Sequence, residues 1–179
     1  MRTLITAALL ATTAVAHAAE PAPSAYAGQE ARSIKALSAE DVEALRTGQG
    51  MGLAKAAELN GYPGPAHVLA LAEQLQLTSE QLSKTRDIEG SMRAKAKTIG
   101  AELIDAEARL DGLFAYKRID DQALQTSLQR IAELQAELRQ THLHAHLEEA
   151  ALLSAAQTAR YVELRGYGQP QNQTMHEHH

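Results

Sequence analysis

The sequence predicts an all-α protein: a long antiparallel helical hairpin with short flanking helices. Three observations carry this. Aromatic residues are only 3% of the 179-residue chain and Trp is absent, while Ala, Leu, Glu and Gln dominate. Such a composition favours helix and supplies a narrow apolar seam rather than a broad core. Two long stretches carry apolar residues at alternating spacings of four and three, the period of a buried helix face. Two copies of L-[ST]-x-x-Q, at Leu77, Thr78 and Gln81 and at Leu153, Ser154 and Gln157, have the form of capping boxes that start helices.

From the N-terminus, Arg2, an uncharged stretch from Leu4 to Ala16, and Ala16-His17-Ala18 read as a secretory signal over residues 1–18, cleaved after Ala18. The apolar run is too short for a bilayer span, which needs ~20 residues. Residues 19–37, rich in Ala, Pro, Ser and Gly near their start, read as a flexible arm. Residues 38–64 hold two short helices. Ser38 caps the first, with Asp41 three residues on, and Gly48, Gly50 and Gly52 interrupt it. The second runs from Leu53 to Leu59 and stops at Asn60-Gly61.

The main domain is expected over residues 65–166. Pro65 is placed to open a helix that ends near Leu75. Thr78 caps the first long helix, from Ser79 to about Tyr116, with Ile88, Met92, Ala96, Ile99, Leu103, Ala106, Leu110 and Leu113 in its stripe. Gly90, Gly100 and Gly112 weaken it by ~1 kcal/mol each relative to Ala. After a break at Lys117–Asp120, Leu124, Leu128, Ile131, Leu134, Leu138, His142 and Ala145 form the second stripe. A short connection makes the two helices antiparallel neighbours. Pairing Leu113 with Leu124 sets His142 opposite Lys95 and Ala96, His146 opposite Ser91 and Met92, and Glu149 opposite Ile88 and Glu89. A last helix runs from Ala155 to Arg165, and residues 167–179 form a polar tail.

Charge and residue usage exclude several functions. There is no Cys, so thiol catalysis and thiolate metal sites are ruled out. The formal charge of −5 becomes −6 once Arg2 leaves with the signal, which disfavours nucleic acid. No segment after the signal is long and apolar enough to span a membrane. No G-x-S-x-G elbow is present, and the glycines at 48, 50 and 52 follow no strand, so neither an acyl-transfer site nor a phosphate loop is expected. Asp120-Asp121 and Glu148-Glu149 are helix neighbours whose side chains diverge. A non-enzyme is the expectation.

Histidine is where chemistry concentrates. On a helix His142 and His146 share a face, with Glu149 close to the same line, while His144 points to solvent. Two imidazoles one turn apart can hold a divalent transition ion. In the hairpin, Glu89 and Met92 come close to them, and His67 is within reach from the preceding helix. The other reading is that both histidines border the seam and hydrogen-bond to Glu or Gln across it. The tail adds His176, His178 and His179 near Met175, a composition that binds metal loosely.

The export signal, the helical hairpin and the paired motifs together resemble the periplasmic Spy/CpxP family, which takes in ZraP-like and CnrX-like metal-responsive members. The likeness covers about Pro65 to Tyr167; the second motif departs by having Ser154 where threonine is usual, and serine caps as well. It implies a cradle-shaped antiparallel homodimer in the periplasm. It implies an ATP-independent chaperone for unfolded envelope proteins, or a stress protein with a signalling partner. The alternative is a nickel, cobalt, copper or zinc binder or sensor with His142 and His146, and with His67, Glu89 and Met92, as ligands. No cofactor is required by the first reading; a divalent metal is implied by the second.

Overall fold

The computed structural model describes residues 24–167. The predicted signal and the tail histidines His176, His178 and His179 lie outside them. Every regular element among the described residues is helical, and none of the helices is long and apolar enough to cross a membrane. A short 3-10 turn at Gln29–Ala31 precedes six α-helices: α1 (Ala39–Thr47), α2 (Lys55–Glu58), α3 (Pro65–Ala70), α4 (Ser79–Ala115), α5 (Asp121–Leu152) and α6 (Ala155–Leu164).

The hairpin is α4 against α5, two rods of roughly 55 and 48 Å at 1.5 Å per residue. Their starts follow the predicted chemistry. Thr78 Oγ1 accepts from the backbone N–H of Gln81 at 3.1 Å, and Gln81 Oε1 accepts from the N–H of Thr78 at 3.1 Å. Asp120 caps α5 through the N–H of Ala123 at 2.7 Å. Ser38 and Ser154 head capping boxes of the same form on α1 and α6.

The two motif boxes also meet each other. Gln81 Nε2 donates to Gln157 Oε1 at 2.9 Å and to the carbonyl of Leu152 at 3.1 Å. Gln157 Nε2 returns a bond to Gln81 Oε1 at 3.0 Å and one to the carbonyl of Leu75 at 3.2 Å. Each glutamine closes its own box and ties the other helix start to it. This lock joins the end of the α3 segment, the start of α4, the end of α5 and the start of α6.

Helix ends use one repeated device. A residue in the left-handed region donates back to the last turn, and the next residue donates one turn further, as in the Schellman motif. Gly48 does this at the end of α1 and Gly166 at the end of α6. Gln76 (φ 51°) and Lys117 (φ 56°) do it without glycine. Helix α3 ends at Ala70, earlier than expected from Pro65, and residues 71–76 descend as turns into the Gln76 stop.

The expected facing pairs are displaced. Glu149 meets Thr85 rather than Ile88 and Glu89, and Lys95 meets Glu137 rather than His142. The shift is about one helical turn. Its cause lies at the tip. Arg118 N–H bonds to the Leu113 carbonyl and Lys117 N–H to that of Phe114. The chain therefore reverses directly after α4, and the connection runs back beside its last turn.

One apolar cluster joins Ile34 and Leu45 to Ala96, Ile99 and Leu103 on α4 and to Ile131, Leu134 and Leu138 on α5. The arm expected over residues 19–37 therefore ends sooner, because Ile34 is buried and the Lys35 N–H bonds to Asp111 at 3.1 Å. Helix α1 lies on α4, where Gly100 makes room for it. A Cβ at Gly100 would stand 2.4 Å from the Leu45 carbonyl oxygen. A second cluster, Val68, Leu75, Leu153 and Tyr161, fills the end with the glutamine lock.

Candidate functional site

Between these clusters lies a cavity of about 590 Å³. The segment from Gly48 to Gly52, helix α2, the start of α3, one face each of α4 and α5, and the residues that follow α6 enclose it. His67, Glu89, Met92, His142 and His146 all line it. The one-turn shift in register leaves them on the same wall, because a full turn returns a helix to the same face. His144 instead lies in solvent, with 66% of its side chain exposed.

The two α5 histidines are buried, and their environments differ. His146 Nδ1 stands 2.8 Å from the carbonyl oxygen of Tyr62. A carbonyl only accepts, so Nδ1 carries the proton and the lone pair of the neutral ring is on Nε2. Gly64 crosses the ring closely; a Cβ there would lie 2.8 Å from His146 Cε1. His142 Nε2 is buried without a hydrogen-bond partner. Burial, and then the neighbouring His146, push the His142 pKa down, which favours the neutral imidazole. Gly50 passes over the ring, at a distance where a Cβ would make ordinary contact with Nδ1. Neither histidine hydrogen-bonds to Glu or Gln across the hairpin seam.

Glu89 is engaged by Arg93 one turn on, with Nη2–Oε1 at 2.6 Å. Met92 is half-buried and packs on the first apolar cluster. His67 is half exposed, its Nδ1 3.4 Å from Glu58 Oε1. Among the described residues, no group of three or more His, Asp or Glu side chains is positioned to hold a metal ion.

Glu58, which the sequence did not single out, organises the far wall. Its Oε1 accepts from Tyr161 Oη at 2.6 Å, Tyr167 Oη at 2.8 Å and Arg165 Nε at 3.1 Å. Its Oε2 is buried with no hydrogen-bond partner and lies 3.8 Å from His146 Nδ1. Burial works to raise this carboxyl, but the tyrosine hydroxyls, His67 and Arg165 outweigh it and hold the group below its ordinary value. Burial and the bond to Glu58 push the Tyr161 hydroxyl well above its ordinary range. The cavity wall thus contains a fixed negative charge one contact from His146. No spacing or motif marks Glu58. It sits in a four-residue helix and gains its partners from residues more than 90 positions away.

Glu149 lies below the cavity, between α4 and α5. It is fully buried, with Thr85 Oγ1 donating to Oε1 at 2.9 Å and Oε2 unpartnered. Burial raises its pKa, against the opposing bond from Thr85.

Compared with protein-family models, with curated proteins and with solved structures, the chain matches none.

Proposed function

We propose that the chain is an exported envelope-stress protein of Spy/CpxP type that takes a divalent transition-metal ion in the cavity at His142 and His146. One observation carries the reading: two buried imidazoles on one helix face open to a cavity that also holds Met92 and Glu89. The Tyr62 carbonyl fixes the His146 tautomer so that Nε2 is free. This is the arrangement in which a backbone acceptor orients a ligating imidazole. His142 Nε2 is an unpartnered buried nitrogen, a polar atom whose desolvation a ligand would offset. The donor set of imidazole, thioether and carboxylate suits nickel, cobalt, copper or zinc. Such an ion fills its other positions from Met92, from water, or from Glu89 released by Arg93. When bound, it supplies a link between α5 and the segments that cover it.

The test is calorimetric titration of the chain carrying His176→Ser, His178→Ser and His179→Ser, with nickel, cobalt, copper and zinc in turn. One-site heat that vanishes on His142→Ala is expected. By linkage, metal at 100 times its Kd raises stability by about 2.7 kcal/mol. Absence of heat with all four ions, or equal heat from His142→Ala, defeats the reading.

A second reading is client binding without ATP. Exposed Met51, Leu59, Tyr62, Leu128 and Leu147 favour it by offering adaptable apolar contact. An unfolded client that aggregates as fast with the chain as without it ends that reading.

A further inference from the structure

We propose that the hairpin tip, residues 113–120 with Arg109 beside them, docks on an anionic lipid surface. The inference stands independently of the cavity. Phe114, the chain's only Phe, is 50% exposed, and Tyr116 is 74% exposed. Lys117 and Arg118 follow directly, and the Arg118 guanidinium stacks over the Tyr116 ring at 5.9 Å from its centroid. A second cavity, of about 510 Å³, opens here between Leu113, Tyr116 and the guanidinium-bearing side chains of Arg109, Arg118 and Arg130.

Charge at the tip runs against that of the chain, whose formal charge is −5. Among the described residues, Arg109, Lys117 and Arg118 have no carboxylate partner, whereas Arg130 is paired with Glu102 and Glu133. Two of the nearby carboxylates are already engaged. Asp111 accepts the Lys35 N–H and lies 3.6 Å from Lys35 Nζ, and Asp120 caps α5. The charges left at the tip are Arg109, Lys117 and Arg118 against Asp120 and Asp121. Those two carboxylates sit at the N-terminus of α5, where the helix dipole partly offsets them, so the tip keeps a small net positive charge.

Aromatic rings beside basic side chains on a turn are the chemistry of an interfacial anchor. The rings settle at headgroup level and the cations meet lipid phosphates. An acidic protein segment would meet the same cations. A stable protein interface, however, covers ~800 Å² on each partner, more than one turn at the end of a rod supplies. A lipid surface needs only the insertion of a few side chains.

The experiment is co-sedimentation of the full chain with vesicles of phosphatidylcholine mixed with phosphatidylglycerol, against vesicles of phosphatidylcholine alone. Preferential binding to the anionic vesicles, weakened by added salt, is expected. Lys117→Glu with Arg118→Glu should lower that binding at least about tenfold, and Phe114→Ser with Tyr116→Ser should lower it several-fold. All four side chains are exposed, and circular dichroism checks that helix content is kept. Because the chain has no Trp, Phe114→Trp makes a single reporter whose emission should shift to the blue on anionic vesicles. Equal binding to both vesicle types, tip variants that sediment like the parent, or an unshifted Trp on bound chain would overturn the proposal. So would binding of a poly-glutamate peptide without binding to vesicles.

Discussion

Two glycines of α4 separate backbone cost from packing need. Gly90 and Gly100 read alike in sequence, as weak points in a helix. At Gly90 an added Cβ meets nothing within 4 Å, whereas at Gly100 it would strike the Leu45 carbonyl, which is backbone and cannot swing aside. Gly90→Ala should therefore stabilise the chain by about 1 kcal/mol, and Gly100→Ala should destabilise it by about 1–3 kcal/mol. Urea titration of both variants checks the opposite signs. Glu149 supplies a pH signature at the same scale. Its carboxyl is raised in the folded chain by burial, so the folded state holds this proton more tightly than the unfolded one. The group favours folding below the unfolded carboxyl pKa, and that contribution is lost as pH rises through the folded value. Glu149→Gln should raise the melting temperature at neutral pH, with the gain disappearing in acid. A difference from the parent that does not change with pH would remove Glu149 as its source.

At the scale of elements, the caps were legible and their meeting was not. Each L-[ST]-x-x-Q box declares a helix start because Thr or Ser and Gln satisfy backbone donors within a few residues. That Gln81 and Gln157 then bond to each other depends on α4 and α6 arriving side by side, which no local pattern encodes. Glycine stops at 48, 61 and 166 could be read from the residue type. At Gln76 and Lys117 the break in the apolar pattern showed that a helix ends nearby, but not the left-handed turn that ends it, since such backbone at a non-glycine residue leaves no signature. The break at Lys117 was legible, but the tight return that Lys117 and Arg118 make onto Phe114 and Leu113 was not, so pairing Leu113 with Leu124 set the hairpin register about one turn off. The candidate ligands still shared a wall because the error was near a whole turn. The lock predicts coupling. Gln81→Ala and Gln157→Ala should each cost about 1–3 kcal/mol. The double variant should cost less than the sum, because the bonds between the amides are lost with either one. Additive losses in a double-mutant cycle would mean the two amides act separately.

Over the whole described molecule, from Ala31 onward, the short N-terminal helices belong to the same folding unit as the hairpin. The sequence left open whether residues 38–60 pack on the hairpin, because short amphipathic segments broken by glycines carry little information about where they dock. Two anchors answer this. Leu45 enters the apolar cluster with α4 and α5, and Glu58 holds α2 to the end of α6 through Tyr161, Arg165 and Tyr167. Both anchors bear on the cavity, because α2 and the loop between α1 and α2 form one of its walls. Glu58→Ala leaves Arg165, the buried Tyr161 hydroxyl and the partly buried Tyr167 hydroxyl without their acceptor and loosens that wall. It should cost about 2–4 kcal/mol. Glu58→Gln keeps the shape and one acceptor, and should cost less. Hydrogen exchange can separate a local from a global effect. If the anchors make one cooperative unit, amides of α1 and of the α4–α5 midsection lose protection together in Glu58→Ala. Early exchange of α1 alone, with α4 and α5 unchanged, would instead make the N-terminal helices a separately opening lid over a hairpin that is stable without them.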